Sequence, residues 1–336
     1  SGYNYAFNSN KSNGLAMTTF SNYALEWEET AITNIGLDFG VLNNRLNGTI
    51  EVYDKKTDGI LYRPTLPESL NQFTSPLQNL AGVNNKGLEI TLGWNDRVGD
   101  ISYSVSGNFT YNKNKVTKYK GELVREWRTD ANGNKVWYQN VGTVANGSSN
   151  LIVEGHEMNE YYMMNPYKGN GSYFNSDGTV NINGGPKDGM IRTEADMKWL
   201  QAMFDAGYKF YPNQAIGKDK IWYGDMIYAD YNGDGIYGND DDRDFQGVSW
   251  RPKYYFGLQA SMTWKGFDLS MNWAGAAGFK IDYYKQTQNS VSVTHGYGLG
   301  YDIAYDHYFF DPENPNDPRT NIYSETPRLV GYQNSG

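Results

Sequence analysis

Cysteine is missing from the 336-residue chain, and its absence excludes disulfide bonds, thiolate metal sites and cysteine nucleophiles. Long hydrophobic runs are missing too: no stretch of about 18 apolar residues occurs, which excludes a transmembrane helix. A β-barrel is not excluded, because only alternate residues of a barrel strand face lipid. Positive charge is also scarce, and the net charge of −9 argues against a nucleic-acid partner.

A secretory signal is missing from the start of the chain, since Ser1 is followed by neither a charged segment nor an apolar one. We therefore expect a mature chain or a piece of a longer protein. The three histidines are far apart. His156 begins the run His-Glu-Met-Asn-Glu, in which Glu160 stands where a zinc-protease helix needs its second histidine. We expect no enzymatic activity.

Aromatic residues, by contrast, are abundant, with 29 Tyr and 9 Trp, and many lie in segments of strict alternation. The stretch Gly87–Tyr111 holds two such segments around a polar turn at residues 95–100. Alternation predicts two β-strands with one apolar and one small polar face. Such a hairpin fits a soluble β-sandwich or an outer-membrane barrel, and Trp and Tyr at the strand ends favour the barrel. Its apolar residues are Leu88, Ile90, Leu92, Trp94, Ile101, Tyr103, Val105, Phe109 and Tyr111.

Two further hairpins and the lengths of the connections also favour the barrel. Alternation over residues 34–53 turns at Asn43-Asn44, and alternation over residues 254–279 turns at Lys265-Gly266. Tight turns at one end of a sheet and long loops at the other are typical of outer-membrane barrels. A Greek-key sandwich spreads its loop lengths more evenly. The segments predicted as loops are residues 1–23, 63–85 and 117–250.

Several short motifs resemble the barrel region of TonB-dependent transporters of the SusC/RagA type. Each motif is weak alone, but they follow the family's order over nearly the whole chain. The motifs are Trp27-Glu28-x-Thr30, Asn34-Ile35-Gly36-Leu37-Asp38-Phe39, Tyr53-Asp54-Lys55-Lys56-Thr57, Asn84-Asn85-Lys86-Gly87-Leu88-Glu89, Asn112-Lys113-Asn114-Lys115-Val116, Asp230-Tyr231-Asn232-Gly233-Asp234-Gly235, Pro252-x-Tyr254-Tyr255-x-Gly257-Leu258, Phe267-Asp268-Leu269 and Pro312-Glu313-Asn314-Pro315-Asn316.

The resemblance implies an all-β fold, namely an antiparallel transmembrane β-barrel with long extracellular loops. Residues 1–336 would form the C-terminal part of a plugged barrel of about 22 strands. The plug, the TonB box and the last barrel strands are expected to lie outside this chain. Residues 117–250 would be a long extracellular loop.

The same resemblance implies a nutrient importer in the outer membrane of a Bacteroidota-type cell. Its partners would be TonB, acting through the plug, a SusD-like surface lipoprotein, outer-membrane lipid and a glycan or peptide substrate. No nucleic acid is expected. The alternative is a secreted, calcium-stabilised all-β binding or adhesion module.

An acidic segment predicts a calcium loop. Oxygen ligands at positions 1, 3 and 5, glycine at 6, a carbonyl at 7 and a carboxylate at 12 are the pattern of an EF-hand-type site. The alternative is an acidic, glycine-rich turn that binds nothing in particular. The candidate ligands are Asp230, Asn232, Asp234, the carbonyl of Ile236, and Asp241 or Asp242.

Aromatic residues of the long loop form the second candidate site, since flat rings suit sugars and peptide side chains alike. The alternative is that these rings form the loop's own core. Residues 192–203 predict a short helix capped by Thr193, which would pack the loop. The candidate ligand-binding residues are Tyr161, Tyr162, Tyr167, Trp199, Trp222 and Tyr223.

Overall fold

The computed structural model describes residues 22–63, 75–146, 149–281 and 301–329, and the backbone of residues 2–7 and 10–15. Two compact units are present. The sheet unit comprises residues 1–124, 140–160 and 247–280, and the loop unit comprises residues 125–139, 161–246 and 281–336.

Antiparallel strands dominate the described residues, with few and short helices. The helices are α1 (Val141–Val144), α2 (Glu194–Asp205) and α3 (Tyr301–Tyr305). The strands are β1 (Gly2–Phe7), β2 (Asn10–Leu15), β3 (Glu29–Val41), β4 (Leu46–Tyr62), β5 (Gln78–Val98), β6 (Ile101–Lys118), β7 (Arg125–Thr129), β8 (Lys135–Gln139), β9 (Asn150–Leu151), β10 (Glu160–Met164), β11 (Lys209–Phe210), β12 (Ile236–Tyr237), β13 (Arg243–Phe245), β14 (Tyr254–Trp264) and β15 (Phe267–Ala277).

The main sheet has six strands in the order β15-β14-β6-β5-β4-β3, and every neighbouring pair is antiparallel. Its register aligns the alternating residues of all six strands, so that apolar side chains share one face. This face is exposed: Ile35 is 70% and Leu37 60% accessible. Two of the apolar rows are Leu37-Ile50-Ile90-Phe109-Phe256 and Val41-Leu46-Trp94-Val105-Ala260-Met271.

The opposite face is polar and cross-linked by side-chain hydrogen bonds. The hydroxyl oxygens of Ser104 and Ser261 lie 3.1 Å apart. The Thr263 hydroxyl donates to Asp268 across the last hairpin at 2.7 Å. A shallow cavity of about 470 Å³ lies on this face, as expected of the wet interior of a barrel. Its lining residues are Ile32, Asn34, Glu51, Tyr53, Lys55, Asn85, Glu89 and Asn112.

The height of the apolar band matches a bilayer. On β6 it extends from Ile101 to Tyr111, a rise of about 34 Å along the strand. A tilt of 35–45° reduces this to about 24–28 Å along the membrane normal, the height of the lipid-facing band of outer-membrane barrels. Aromatic rings mark both limits: Trp264 stacks on Phe267 at one, and Tyr111 stacks on Tyr254 at the other.

Three tight turns lie at one end of the sheet, as the sequence predicted. The first contains Asn43 and Asn44 in the left-handed region, and the third contains Lys265 and Gly266, also with positive φ. The middle turn is shorter than predicted. Val98 pairs with Ile101, so only Gly99 and Asp100 form the turn, because residues 95–98 continue the ladder.

All three predicted loops prove to be strands in part, and residues 117–250 contain the seven short strands β7 to β13. Residues 1–23 were expected to be loop, but β1 and β2 form a hairpin there. Residues 63–85 were expected to be a connection, but β5 begins at Gln78 and pairs with Tyr62. A high Asn and Ser content predicts a loop, but the backbone of such a segment pairs equally well, and Tyr3, Tyr5 and Phe7 alternate along β1 in the sequence.

Residues 140–160 return to the sheet unit and cover the end of its polar face. Val116 exchanges backbone hydrogen bonds with this segment, donating to His156 O and accepting from Gly155 N–H. The buried Glu157 carboxylate binds Lys253 at 2.9 Å and accepts from the Ser249 hydroxyl at 2.9 Å. Among the described residues, no helix has both the length and the apolar character needed to cross a membrane.

We predict that Leu258→Arg opposes folding into lipid vesicles by about 2–4 kcal/mol, because the side chain lies near mid-height of the apolar band. Gln259→Arg, on the polar face of the same strand, is the matched control and leaves the folding free energy nearly unchanged. Denaturant titration of the full-length protein in vesicles measures both. Equal effects of the two substitutions contradict the assignment of the faces.

Candidate functional site: an aromatic cleft in the loop unit

Helix α2 packs its apolar side into the core of the loop unit. Thr193 caps it as predicted: the Asp196 N–H donates to the Thr193 hydroxyl, and the Asp196 carboxylate accepts from the Thr193 N–H. This reciprocal capping box satisfies backbone donors that the first turn leaves free. The helix turns its apolar side inward, where Trp199 is fully buried.

The buried rings around Trp199 form the core of this unit. Tyr167 lies 5.3 Å and Phe210 lies 6.2 Å from the Trp199 ring, measured between centroids. The indole N–H donates to the Asn181 carbonyl at 2.8 Å. Gly185 has positive φ and lies so close that a Cβ would approach the Trp199 ring to 2.7 Å. A residue with a side chain there would displace the indole.

The structure distributes the six predicted ligand-binding aromatics over two environments. Trp222 and Tyr223 line a cleft. Tyr223 is also buried against the core, as are Tyr167 and Trp199. Tyr162 packs on Phe245 and donates to Gln139, and Tyr161 is 5% exposed. Ligand binding by any of the six stays a prediction.

The cleft has a volume of about 840 Å³, within the range of small-molecule sites. Its floor is aromatic: the Tyr223 ring meets Phe310 edge-on at 5.1 Å. At its rim Tyr305 is 73% exposed, and the Arg319 guanidinium lies 4.5 Å from the centre of the Phe309 ring. Flat apolar surfaces and cationic donors thus face one space.

A buried ion pair supports one wall of the cleft. Arg328 makes two hydrogen bonds to the Asp225 carboxylate, at 2.7 and 2.9 Å, and Asp225 is 4% exposed. The remaining Arg328 donors bind the carbonyls of Lys218 and Lys220. Burial raises the pKa of Tyr223, so the phenol stays neutral at physiological pH.

The predicted calcium loop is closed by hydrogen bonds of its own. The Asp230 carboxylate accepts from the N–H groups of Gly233, Asp234 and Gly235. Asp234 accepts from Ile236 N–H.

The carboxylates at the end of the same loop are also engaged. Asp242 is buried and accepts from Tyr231, Gly238 and Asn239, and burial raises its pKa to about 6 despite these donors. Asp241 accepts from Gln139. Within the described ranges, no group of three or more His, Asp or Glu residues is arranged to hold a metal. The calcium site stays a prediction.

Half of the cleft was missed by sequence reasoning. Its second wall comes from residues 304–329, a polar segment with no strand periodicity. The available signal was the aromatic run of residues 301–310, which includes three Tyr and two Phe. Nothing in the sequence pattern indicates that this run packs against Trp222 and Tyr223.

Sequence comparisons connect this chain with known proteins. Residues 1–149 match the family described as TonB dependent receptor-like, beta-barrel. The chain is similar to TonB-dependent receptor P39 of Formosa agariphila, with 31% identity over 189 residues, covering 52% of this chain and 18% of that receptor. It is also similar to TonB-dependent receptor SusC of Bacteroides thetaiotaomicron, with 35% identity over 133 residues, covering 37% of this chain and 13% of SusC.

Solved structures with the same fold include the RagAB peptide transporter. The TM-score is 0.60 at 17% sequence identity, and the match covers 99% of this chain and 29% of that one. The RagAB peptide importer in its open-open state gives a TM-score of 0.59 at 18% identity, covering 98% of this chain and 28% of that one. At 17–18% sequence identity, the structural similarity supports the fold and nothing about the substrate.

The sequence match of residues 1–149 is to the β-barrel of the TonB-dependent receptor class, and the fold is similar to that of such barrels. Within that class, the chain is a homologue of the SusC-type receptors, which are outer-membrane β-barrel proteins. The predicted fold class and outer-membrane localisation are confirmed. The chain spans less than a fifth of the length of these two curated relatives.

We predict that Arg328→Met loosens the wall of the cleft, because it leaves the Asp225 carboxylate buried without its cation. Such a loss destabilises the surrounding structure by about 3–5 kcal/mol. Hydrogen exchange of the full-length protein in detergent measures it, as faster exchange of the amides around residues 220–228 and 306–310. Arg319→Met is the control, since Arg319 pairs with Asp317 at the surface. Unchanged exchange in Arg328→Met contradicts the prediction.

Proposed function

We propose that this chain is part of a TonB-dependent importer that takes up oligosaccharides or oligopeptides across the outer membrane. The observation that carries the proposal is the two-faced sheet, apolar outside and polar inside, whose apolar band has the height of a bilayer. The chain's homology to SusC-type receptors supports it.

In this proposal the loop unit binds the substrate before it is transported. Two of its segments, residues 125–139 and 161–246, come between β6 and β14 in the chain, and β6 ends and β14 begins at the end of the sheet opposite the tight turns. Short turns are periplasmic in such barrels, so these segments begin on the extracellular side. Substrate would bind the cleft through its rings, beneath a SusD-like lipoprotein, and TonB would supply energy through a plug.

The substrate class stays open between glycans and peptides. The structurally similar RagAB protein is a peptide transporter, but at 17% sequence identity this likeness assigns no substrate to this chain. Aromatic faces pack equally well on sugar rings and on apolar side chains. The secreted adhesion module is the weaker alternative, because a soluble protein rarely exposes so large an apolar face.

The proposal includes calcium in the acidic loop, held by Asp230, Asn232, Asp234, the Ile236 carbonyl, and Asp241 or Asp242. Oxygen donors of this kind suit Ca²⁺, and extracellular sites bind it with Kd values of about 10⁻⁴–10⁻³ M. Calorimetric titration of CaCl₂ into the full-length protein is expected to show such binding. Asp234→Ala abolishes it, and Asp240→Ala, which removes an exposed carboxylate bound to Arg243, keeps it. Absence of calcium-dependent heat in the native protein overturns this part.

We predict that Tyr305→Ala weakens substrate binding about fivefold, since an aromatic contact of this kind contributes roughly 1 kcal/mol. Tyr305 is exposed at the rim of the cleft, so its removal leaves the core intact. Tyr323→Ala is the matched control, because Tyr323 is 88% exposed and does not line the cleft. Binding of glycan and peptide pools to the full-length protein, followed by uptake in cells, measures both variants. Equal affinities contradict the assignment of the cleft.

A further inference from the structure

Four lysines lie on the lipid-facing side of the sheet, just beyond the apolar band. The register places Lys86 directly opposite Lys113 on the neighbouring strand. Lys115 follows two residues after Lys113, and Lys56 follows two residues after Asp54. Since alternate strand residues share a face, all four side chains leave the sheet on the side of Val52, Leu88 and Tyr111. The lysines are exposed.

The charges of this lysine cluster are unbalanced within the sheet. The row across β4, β5 and β6 reads Asp54, Lys86, Lys113, and the next row reads Lys56, Asn84, Lys115. Asp54 binds Lys86 at 3.1 Å and is the one carboxylate in these rows. Like charges directly opposite each other destabilise a strand pair. An external anion beside Lys113 and Lys115 would therefore relieve the repulsion that Asp54 leaves in the cluster.

The position of the cluster indicates where that anion comes from. The row directly before Lys113 carries Tyr111, which stacks on Tyr254 with 5.1 Å between ring centroids. Tyrosines at this level mark the membrane–water interface. The cluster thus lies one row outside the hydrocarbon, at the depth of lipid headgroups, at the end opposite the tight turns.

The geometry points to a binding site for the phosphate of an anionic lipid headgroup in the outer leaflet, formed by Lys56, Lys86, Lys113 and Lys115. Each ammonium offers three donors on a flexible stem, so several lysines can converge on one phosphate from the barrel's outer surface. The lipid's acyl chains then continue along the apolar band below. A free phosphate has the same headgroup chemistry but lacks acyl chains, so it cannot also contact the apolar band.

The inference rests on the membrane location of the sheet and not on the transported substrate. The test uses the delipidated full-length protein in a neutral detergent, titrated with phosphatidylglycerol or phosphatidylcholine and followed by native mass spectrometry. We expect selective retention of phosphatidylglycerol. Lys113→Gln with Lys115→Gln is expected to weaken it about 25-fold, at about fivefold for each lysine removed near an anionic headgroup.

Lys55→Gln is the matched control, because Lys55 neighbours Lys56 in sequence but lines the cavity on the opposite face. It leaves phosphatidylglycerol binding unchanged, and a circular dichroism spectrum like that of the native protein shows that the double variant is folded. Equal retention of the two lipids, or equal affinity of the double variant and native protein, overturns the inference. Complete displacement of lipid by excess inorganic phosphate also overturns it, since the site then recognises free phosphate.

Discussion

The alternation of side chains along in-register strands is the constraint on which the rest of the structure depends. A shift of one residue in any pair would place the polar residues of that strand among the apolar ones. Ile50, Ile90 and Phe109 lie in one row because each pair keeps its register. The same register sets Ser104 against Ser261 on the other face. One geometric rule thus produces a surface for lipid and a wall for water.

The loop unit obeys a different rule, because it cannot use lipid to cover its apolar residues. It forms its own core around Trp199 of α2, whose ring packs against Tyr167 and Phe210. That core contains three of the six aromatic residues that the sequence offered as ligand contacts, namely Tyr167, Trp199 and Tyr223. The rings left at its edge, among them Trp222 and Tyr305, line the cleft.

The sequence predicted those features that depend on residues close together in the chain. The hairpin of β14 and β15 and the cap at Thr193 are local, and both were found as expected. The hairpin of residues 2–15 was missed because its Asn and Ser content predicts a loop, although Tyr3, Tyr5 and Phe7 alternate along β1 in the sequence. The cleft was half missed for another reason: it joins residues 218–223 to residues 304–329, and only long-range packing brings them together.

The central claim is that one face of this sheet meets lipid and the other meets water. This chain contributes no native cysteine, so single cysteines placed along β14 can carry spin labels in the full-length protein in liposomes. We expect high collision rates with lipid-soluble oxygen at residues 258, 260 and 262. At residues 259, 261 and 263, collisions with a water-soluble nickel reagent dominate. A profile without this period of two, or one with the faces exchanged, contradicts the account.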